Sequence, residues 1–266
     1  MNILIIGCGN MGGAMLAGWL AGGIAPETFT VVDPFLAAAP PGVILVRELP
    51  AADAAFDAIL LGFKPQQLAE VAPTIAPLAS KGTVVLSILA GVDLATLRRR
   101  LPNAGAVVRV MPNLAAALGK SPVALVGAVD QAQQTLVDYL VAPLGQGEWL
   151  ANESLMDLVT ALAGSGPAFV YRMIDSLALG ATALGLPREQ ADRLAVSMVE
   201  GAAALAAQAP VSPGELARRV ASPGGTTQKG LDVLDADGAM ARLMEATLRA
   251  ARDRSAEMAE EARSAG

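Results

Sequence analysis

The sequence predicts an α/β protein: an N-terminal doubly wound sheet followed by an all-helical C-terminal domain. Three observations predict it. The chain opens on a short apolar run, a glycine-rich turn and an uncharged helical stretch. Apolar runs of strand length then alternate with helical stretches over the first 150 or so residues, the pattern of a parallel sheet covered on both faces. From Glu153 onward no run reads as a strand. The expected domains are therefore 1–151 and 152–266.

Ile3 to Ile6 has the length of a buried strand. Gly7, Gly9 and Gly12 follow in G-x-G-x-x-G spacing, and residues 13–20 lack charge and read as a helix. Strand, glycine turn and helix together make a dinucleotide-binding unit of Rossmann type. Gly7 allows the tight turn, Gly9 lets the backbone approach a pyrophosphate, and Gly12 lets the helix pack closely on the strand. The helix N-terminus offers N–H groups and partial positive charge to the phosphates. Phe29 to Val32 reads as the second strand, and Asp33 ends it. A carboxylate there accepts ribose hydroxyls and repels a 2′-phosphate, which favours NADH over NADPH. Asp33-Pro34 is equally a common turn dipeptide.

The alternation continues in order. Residues 43–46 and 58–63 read as strands, the second ending at Lys64-Pro65, with proline suited to the first turn of a helix over 66–78. A strand over 83–87 runs into Ala90-Gly91, and Asp93 caps a helix to residue 101. Strands over 106–110 and 123–126 and a helix over 131–140 complete the domain. Ligands of such sheets sit at the carboxyl ends of the strands, which makes Lys64-Pro65-Gln66, Ala90-Gly91 and Pro112-Asn113 candidate contacts.

Composition narrows the function. The 266 residues are 53% apolar and 3% aromatic, with a net charge of −6. The one basic run, Arg98-Arg99-Arg100, reads as a solvated helix face, so neither nucleic acid nor an anionic membrane is an expected partner. Residues 1–26 carry no charged side chain, but glycines break them and no basic region leads them, which fits neither a signal peptide nor a membrane helix. The cytoplasm is the expected location. Cys8 is the single cysteine and has no partner for an internal disulfide, consistent with a reducing compartment. The chain has no histidine, which excludes serine–histidine and cysteine–histidine chemistry and histidine-bearing zinc sites. No metal site is expected. Proton transfer falls to lysine, a carboxylate, tyrosine, a hydroxyl or water.

In the second half, an apolar helical stretch over 153–184 is interrupted by Gly164-Ser165-Gly166-Pro167, where proline implies a kink or break. A helix over 188–207 presents Leu194, Met198, Gly201 and Leu205 on one face. Ser212-Pro213-Gly214-Glu215 is a helix-start signature. Ser222-Pro223-Gly224-Gly225-Thr226-Thr227 leads into a further helix, and a last one, over 238–262, is rich in arginine and glutamate. Helices this apolar exceed what one thin layer buries, so a dimer through them is expected; a monomer with a broad interdomain contact is the alternative. The 222–227 loop suits an anion such as a carboxylate, with a helix dipole behind it. It also reads as a plain helix cap with a tight turn.

The chain resembles the pyrroline-5-carboxylate reductases over nearly its whole length. The resemblance rests on GCGNMG at 7–12, FKPQ at 63–66, SILAGV at 87–92, RVMPN at 109–113, LAGSGPAF at 162–169 and ASPGGTTQKGLDVLD at 221–235. It implies NAD(P)H-dependent reduction of 1-pyrroline-5-carboxylate to L-proline, the last step of proline biosynthesis. It also implies a homodimer interlocked through a C-terminal dimerisation domain, in some members assembled to a decamer. Carried over by position, Gly7, Gly9, Asn10, Met11 and Gly12 hold the pyrophosphate. Lys64 and Ala90 lie along the cofactor, and Pro167 lines the nicotinamide pocket. Ser222, Gly225, Thr226 and Thr227 bind the substrate carboxylate and ring nitrogen, in the interlocked dimer at the partner's cofactor. Thr227 and Lys64 are the catalytic candidates. Thr227 orients the ring nitrogen and relays its proton, since a threonine hydroxyl is too weak an acid for a conventional donor. Lys64 contributes charge, or simply ends a strand.

The chain departs from the family pattern in three places. Leu114-Ala115 follows Asn113 where the family has Thr-Pro, Ala163 replaces a serine, and Asp33-Pro34-Phe35 replaces an arginine-bearing segment. The last departure is a further reason to expect NADH. Two other functions compete. A β-hydroxyacid dehydrogenase-like oxidoreductase needs a catalytic lysine in the helical half, where Lys229 is the only one and sits in the wrong context. A non-catalytic NAD(P)-binding sensor would have no use for the carboxylate loop.

Overall fold

A computed structural model describes residues 1–264, with side chains to Glu261. The described residues form two compact units, one of residues 1–164 with the segment from Ala251, the other Ser165–Ala250.

The first unit is built on an eight-stranded sheet. Its strands are β1 (Ile3–Ile6), β2 (Phe29–Val32), β3 (Ile44–Val46), β4 (Ala58–Leu61), β5 (Val84–Ser87), β6 (Ala106–Met111), β7 (Ser121–Val126) and β8 (Gly145–Trp149). They lie in the order β3-β2-β1-β4-β5-β6-β7-β8. From β3 to β6 every pair is parallel, whereas β7 runs antiparallel to β6 and β8 parallel to β7. The sheet is thus mostly parallel, as expected of a doubly wound fold, with one antiparallel pair. A short 3-10 turn at Leu114–Leu118, closed by Gly119 at φ 64°, sends the chain straight back along β6 instead of through a crossover helix.

Helices α1 (Asn10–Ala21), α2 (Leu68–Ile75), α3 (Leu94–Arg100) and α4 (Gln131–Val141) cover the sheet. Strand residues alternate between two cores. Ile3, Ile5, Phe29, Val31 and Leu60 pack with Met15, Trp19 and Leu140 from α1 and α4. Leu4, Ile6, Ile59, Leu61 and Val85 pack with Leu68, Ile75 and Leu97 from α2 and α3. Burial on both faces is why these strands read as continuous apolar runs. Trp19 stacks on Phe29 with ring centroids 5.3 Å apart, and its indole N–H donates to the Leu140 carbonyl at 2.6 Å. One side chain thus ties α1 to β2 and α4, fixing the helix whose start forms the glycine turn. Asp93 caps α3 as expected, accepting from the Thr96 N–H at 2.7 Å.

Residues 152–164, expected in the helical domain, group with the sheet. The physical ties are specific. Glu153 Oε1 accepts from Arg109 Nη1 on β6 at 2.7 Å and from the Leu94 N–H at the start of α3 at 2.8 Å. Met156, Ala161 and Ala163 are buried. After α5 (Met156–Val159) the chain makes a π turn, Thr160–Gly164.

The second unit contains α6 (Gly166–Ala183), α7 (Arg188–Gln208), α8 (Pro213–Val220), α9 (Thr226–Asp235) and the first half of α10 (Ala239–Ser264). The break expected at Pro167 is present: a new helix, α6, starts at Gly166, and the proline occupies its first turn, where its missing N–H costs nothing. Small residues bring α6 and α7 together at Ala178, Ala191 and Ala195, and Arg188 pairs with both Asp175 and Asp192. Ser212 caps α8, its hydroxyl accepting from the Glu215 N–H. Leu194, Met198 and Leu205 on α7 and Tyr171 and Leu177 on α6 are exposed within the single chain. Among the described residues no single helix is long and apolar enough to cross a membrane.

Candidate functional site

Strand order reverses at β1, whose neighbours are β2 and β4. The carboxyl edge there is where open α/β sheets take their ligands. Gly7, at the end of β1, has φ 84°, and a Cβ on it would lie 2.8 Å from the backbone of Gly62 and Phe63. Only glycine fits. A Cβ on Gly12 would lie 2.7 Å from the Gly7 carbonyl oxygen, so this glycine lets α1 sit against the turn.

Gly9 differs from both. Its φ is −71°, open to any residue, and a Cβ on it would meet nothing within 4 Å. Nothing in the chain's own packing calls for glycine there, whereas close approach of a ligand to the backbone does. Helix α1 begins at Asn10, three residues earlier than the pattern suggested, with Gly9 as a cap that makes no side-chain bond. Asn10, Met11 and Gly12 therefore supply first-turn N–H groups, which have no intrahelical acceptor. The cradle fits a pyrophosphate.

Asp33 closes the neighbouring strand, β2. Its Oδ2 accepts from the Cys8 N–H in the glycine turn at 2.8 Å, and its Oδ1 from the N–H groups of Phe35 and Leu36 at 2.8 and 3.0 Å. Desolvation pushes this carboxyl up, but the three N–H donors and the nearby Arg47 charge outweigh it and hold it below the usual carboxylate value. Asp33 is thus the turn residue of one sequence-based expectation, and its carboxylate stands beside the glycine turn. Burial, and secondarily the Asp33 charge, push the Cys8 thiol up to about 11, so it stays protonated and acts as a small packing group.

Further along the same edge stand Lys64 after β4 and Ala90 after β5, both exposed. The Lys64 N–H donates to Gln67 Oε1 at 3.2 Å, and its ammonium forms no ion pair among the described residues. After β6, Asn113 is buried. Its N–H donates to Ser121 Oγ, its Oδ1 accepts from the Ala115 N–H, and its Nδ2 donates to the Ala163 carbonyl, each at 2.9 Å. The topology brings the turn, Asp33, Lys64, Ala90 and Asn113 to one edge.

The remaining candidates belong to the second unit. Pro167 lies in the first turn of α6. Gly224 has φ 72°, and Gly225 caps α9 without a side-chain bond, its N–H donating to the Ser222 carbonyl at 2.9 Å. A side chain at Gly225 would collide with Ser222 Oγ. The loop leaves the hydroxyls of Ser222, Thr226 and Thr227 without a hydrogen bond to the described residues, beside the first-turn N–H groups of α9. Such a group of donors holds a carboxylate.

Two features escaped the sequence reading. The π turn at Thr160–Gly164, a form frequent at functional sites, has no compositional signature. Arg47 follows β3, which pairs in parallel with β2 so that Val46 lies beside Val32. Only that register puts Arg47 next to Asp33.

Residues 153–258 match the family model described as pyrroline-5-carboxylate reductase dimerisation. Residues 2–91 match the model described as NADP oxidoreductase, coenzyme F420-dependent. The chain is similar to the pyrroline-5-carboxylate reductase of Pseudomonas aeruginosa, 36% identical over 98% of this chain and 97% of the relative. It is also similar to that of Methanosarcina acetivorans, at 36% identity over 97% of each. Among solved structures, the pyrroline-5-carboxylate reductase of Coxiella burnetii superposes with a TM-score of 0.89 at 30% identity, over 96% of this chain and 97% of that one.

Proposed function

The chain belongs to the pyrroline-5-carboxylate reductase family and reduces 1-pyrroline-5-carboxylate to L-proline with a nicotinamide cofactor, and from that premise we propose which residues do the work. The observation that carries the cofactor assignment is Gly9, where a side chain would project into open space at the head of α1. Gly7, Gly9, Asn10, Met11 and Gly12 hold the pyrophosphate. Asp33 receives the adenosine ribose, and Lys64, Ala90 and Pro167 serve the nicotinamide half. When bound, the reduced nicotinamide supplies the hydride that the substrate's C=N carbon accepts.

The chain's own task is to bind and orient. A protonated cyclic imine is already a strong electrophile, so alignment of the reactants supplies several kcal/mol of the barrier. Ser222, Gly225 and Thr226 hold the substrate carboxylate through hydroxyl and backbone donors. The Thr227 hydroxyl hydrogen-bonds the ring nitrogen and passes on a proton drawn from water. The exposed Lys64 ammonium attracts the anionic substrate and cofactor to the sheet edge.

NADH is the favoured cofactor and NADPH the second, because the Asp33 carboxylate is held in its charged form. The exposed apolar faces of α6 and α7 and the matched dimerisation model support a homodimer through the helical unit. A cytoplasmic location goes with this reading, Cys8 being the single cysteine of the chain.

The test is oxidation of NADH and of NADPH at equal concentration by the purified protein with pyrroline-5-carboxylate. Faster turnover with NADH is expected. Faster turnover with NADPH rejects the reading of Asp33 as an excluder of 2′-phosphate. Cofactor binding without turnover would return a non-catalytic binding protein to consideration.

A further inference from the structure

Asp33 and Arg47 stand side by side at the carboxyl edge, as the next residues after the paired Val32 and Val46. The Asp33 N–H donates to the Val46 carbonyl at 3.3 Å. One guanidinium nitrogen, Arg47 Nη1, donates to the carbonyls of both Asp33 and Leu36 at 2.7 Å. Those two bonds pin the guanidinium over the Asp33–Leu36 turn. Its Nε and Nη2 donate to none of the described residues, and the side chain is exposed.

The carboxylate is more fully engaged. Oδ1 accepts from two backbone N–H groups and Oδ2 from one. Of the roughly four lone-pair directions of a carboxylate, one on Oδ2 remains for a ribose hydroxyl. The turn therefore carries a negative group with one acceptor direction left and a positive group with two donor nitrogens left. Free guanidinium donors suit phosphate oxygens, which they bind in a forked geometry.

We propose that Arg47 is the residue through which this site admits NADPH, taking the 2′-phosphate on Nε and Nη2 while Asp33 serves the ribose of NADH. The assignment rests on the cofactor site proposed above and deepens it. It makes the chain a two-cofactor enzyme in which one side chain sets how far NADH leads. The charge and fork act only on a phosphorylated ribose, because NADH presents no anion at that position.

The test is fluorescence titration of NADPH and NADH into the unaltered protein, Arg47→Gln and Arg47→Lys, without substrate. Arg47→Gln is expected to raise the dissociation constant for NADPH at least about tenfold, the worth of one hydrogen bond to a charged group, while that for NADH moves less than about threefold. Arg47→Lys keeps the charge without the fork and should fall between. An unchanged NADPH-to-NADH ratio in Arg47→Gln overturns the assignment, as does equal weakening of both cofactors, which would give Arg47 only the role of holding the turn. Failure of the unaltered protein to bind either cofactor overturns the cofactor site itself, and the assignment with it.

Discussion

Asn113 Nδ2 donates to the carbonyl of Ala163 at 2.9 Å, across 50 residues of sequence. The bond ties the loop after β6 to the π turn that precedes Ser165-Gly166-Pro167. Asn113 Oδ1 also accepts from the Ala115 N–H at 2.9 Å, so one amide side chain joins the two segments through their backbone groups.

Replacing Asn113 by alanine removes the partners of the Ala163 carbonyl and the Ala115 N–H at a position 6% exposed. Unfolding free energy should fall by about 1–3 kcal/mol, the cost of leaving buried polar groups unpaired. Asn113→Asp should be at least as costly, since it turns an oxygen toward the Ala163 carbonyl. Urea unfolding of the two variants checks this.

The three motif glycines should separate folding from binding. A Cβ at position 9 meets nothing within 4 Å, whereas one at position 12 lies 2.7 Å from the Gly7 carbonyl oxygen. Gly9→Ala should change stability by less than about 0.5 kcal/mol yet weaken NADH binding strongly. Gly12→Ala should lower the melting temperature as well. Thermal unfolding with cofactor titration reads both, and intact NADH affinity in Gly9→Ala would remove the pyrophosphate from that position.

Glu153 holds the nearly buried Arg109 and caps α3 through Leu94. Glu153→Ala leaves a guanidinium uncompensated and should cost about 2–4 kcal/mol. Converting both residues to methionine should recover much of that loss. If Glu153→Ala unfolds at the same urea concentration as the unaltered chain, the pair does not hold residues 152–164 to the sheet.

Asp33 sets a pH dependence with a definite sign. Its folded pKa lies below the ordinary value of 3.8, so the fold favours the charged form. The stability it contributes is complete above the ordinary value and is lost as the pH falls through the folded value. Asp33→Asn turns an N–H toward the Cys8 N–H and should cost about 1 kcal/mol near neutrality. That difference should hold steady down to about pH 5 and narrow only below the ordinary value. A gap that instead opens in acid would reverse the sign.

Much of this architecture was legible in local pattern. A strand covered on both faces has to be apolar at every position, so Ile3–Ile6, Ala58–Leu61 and Val84–Ser87 announced themselves. Asp93 and Ser212 were readable as caps because a capping bond spans three residues. Strand β8 was not readable. As an edge strand its residues alternate between half-buried and exposed and include two glycines, which leaves no apolar run to find.

By itself the sequence determined the strand–turn–helix cradle, the two-part organisation and the donor-rich loop at 222–227, since each is dictated by residues close together in the chain. The tertiary structure alone decided the reversal at β7, the attachment of residues 152–164 to the sheet, the Asn113–Ala163 bond and the pairing of Asp33 with Arg47. These depend on which strands lie side by side and in what register. An alternating pattern would mark the register of a strand with one buried face, but strands buried on both faces are apolar throughout and carry no such mark.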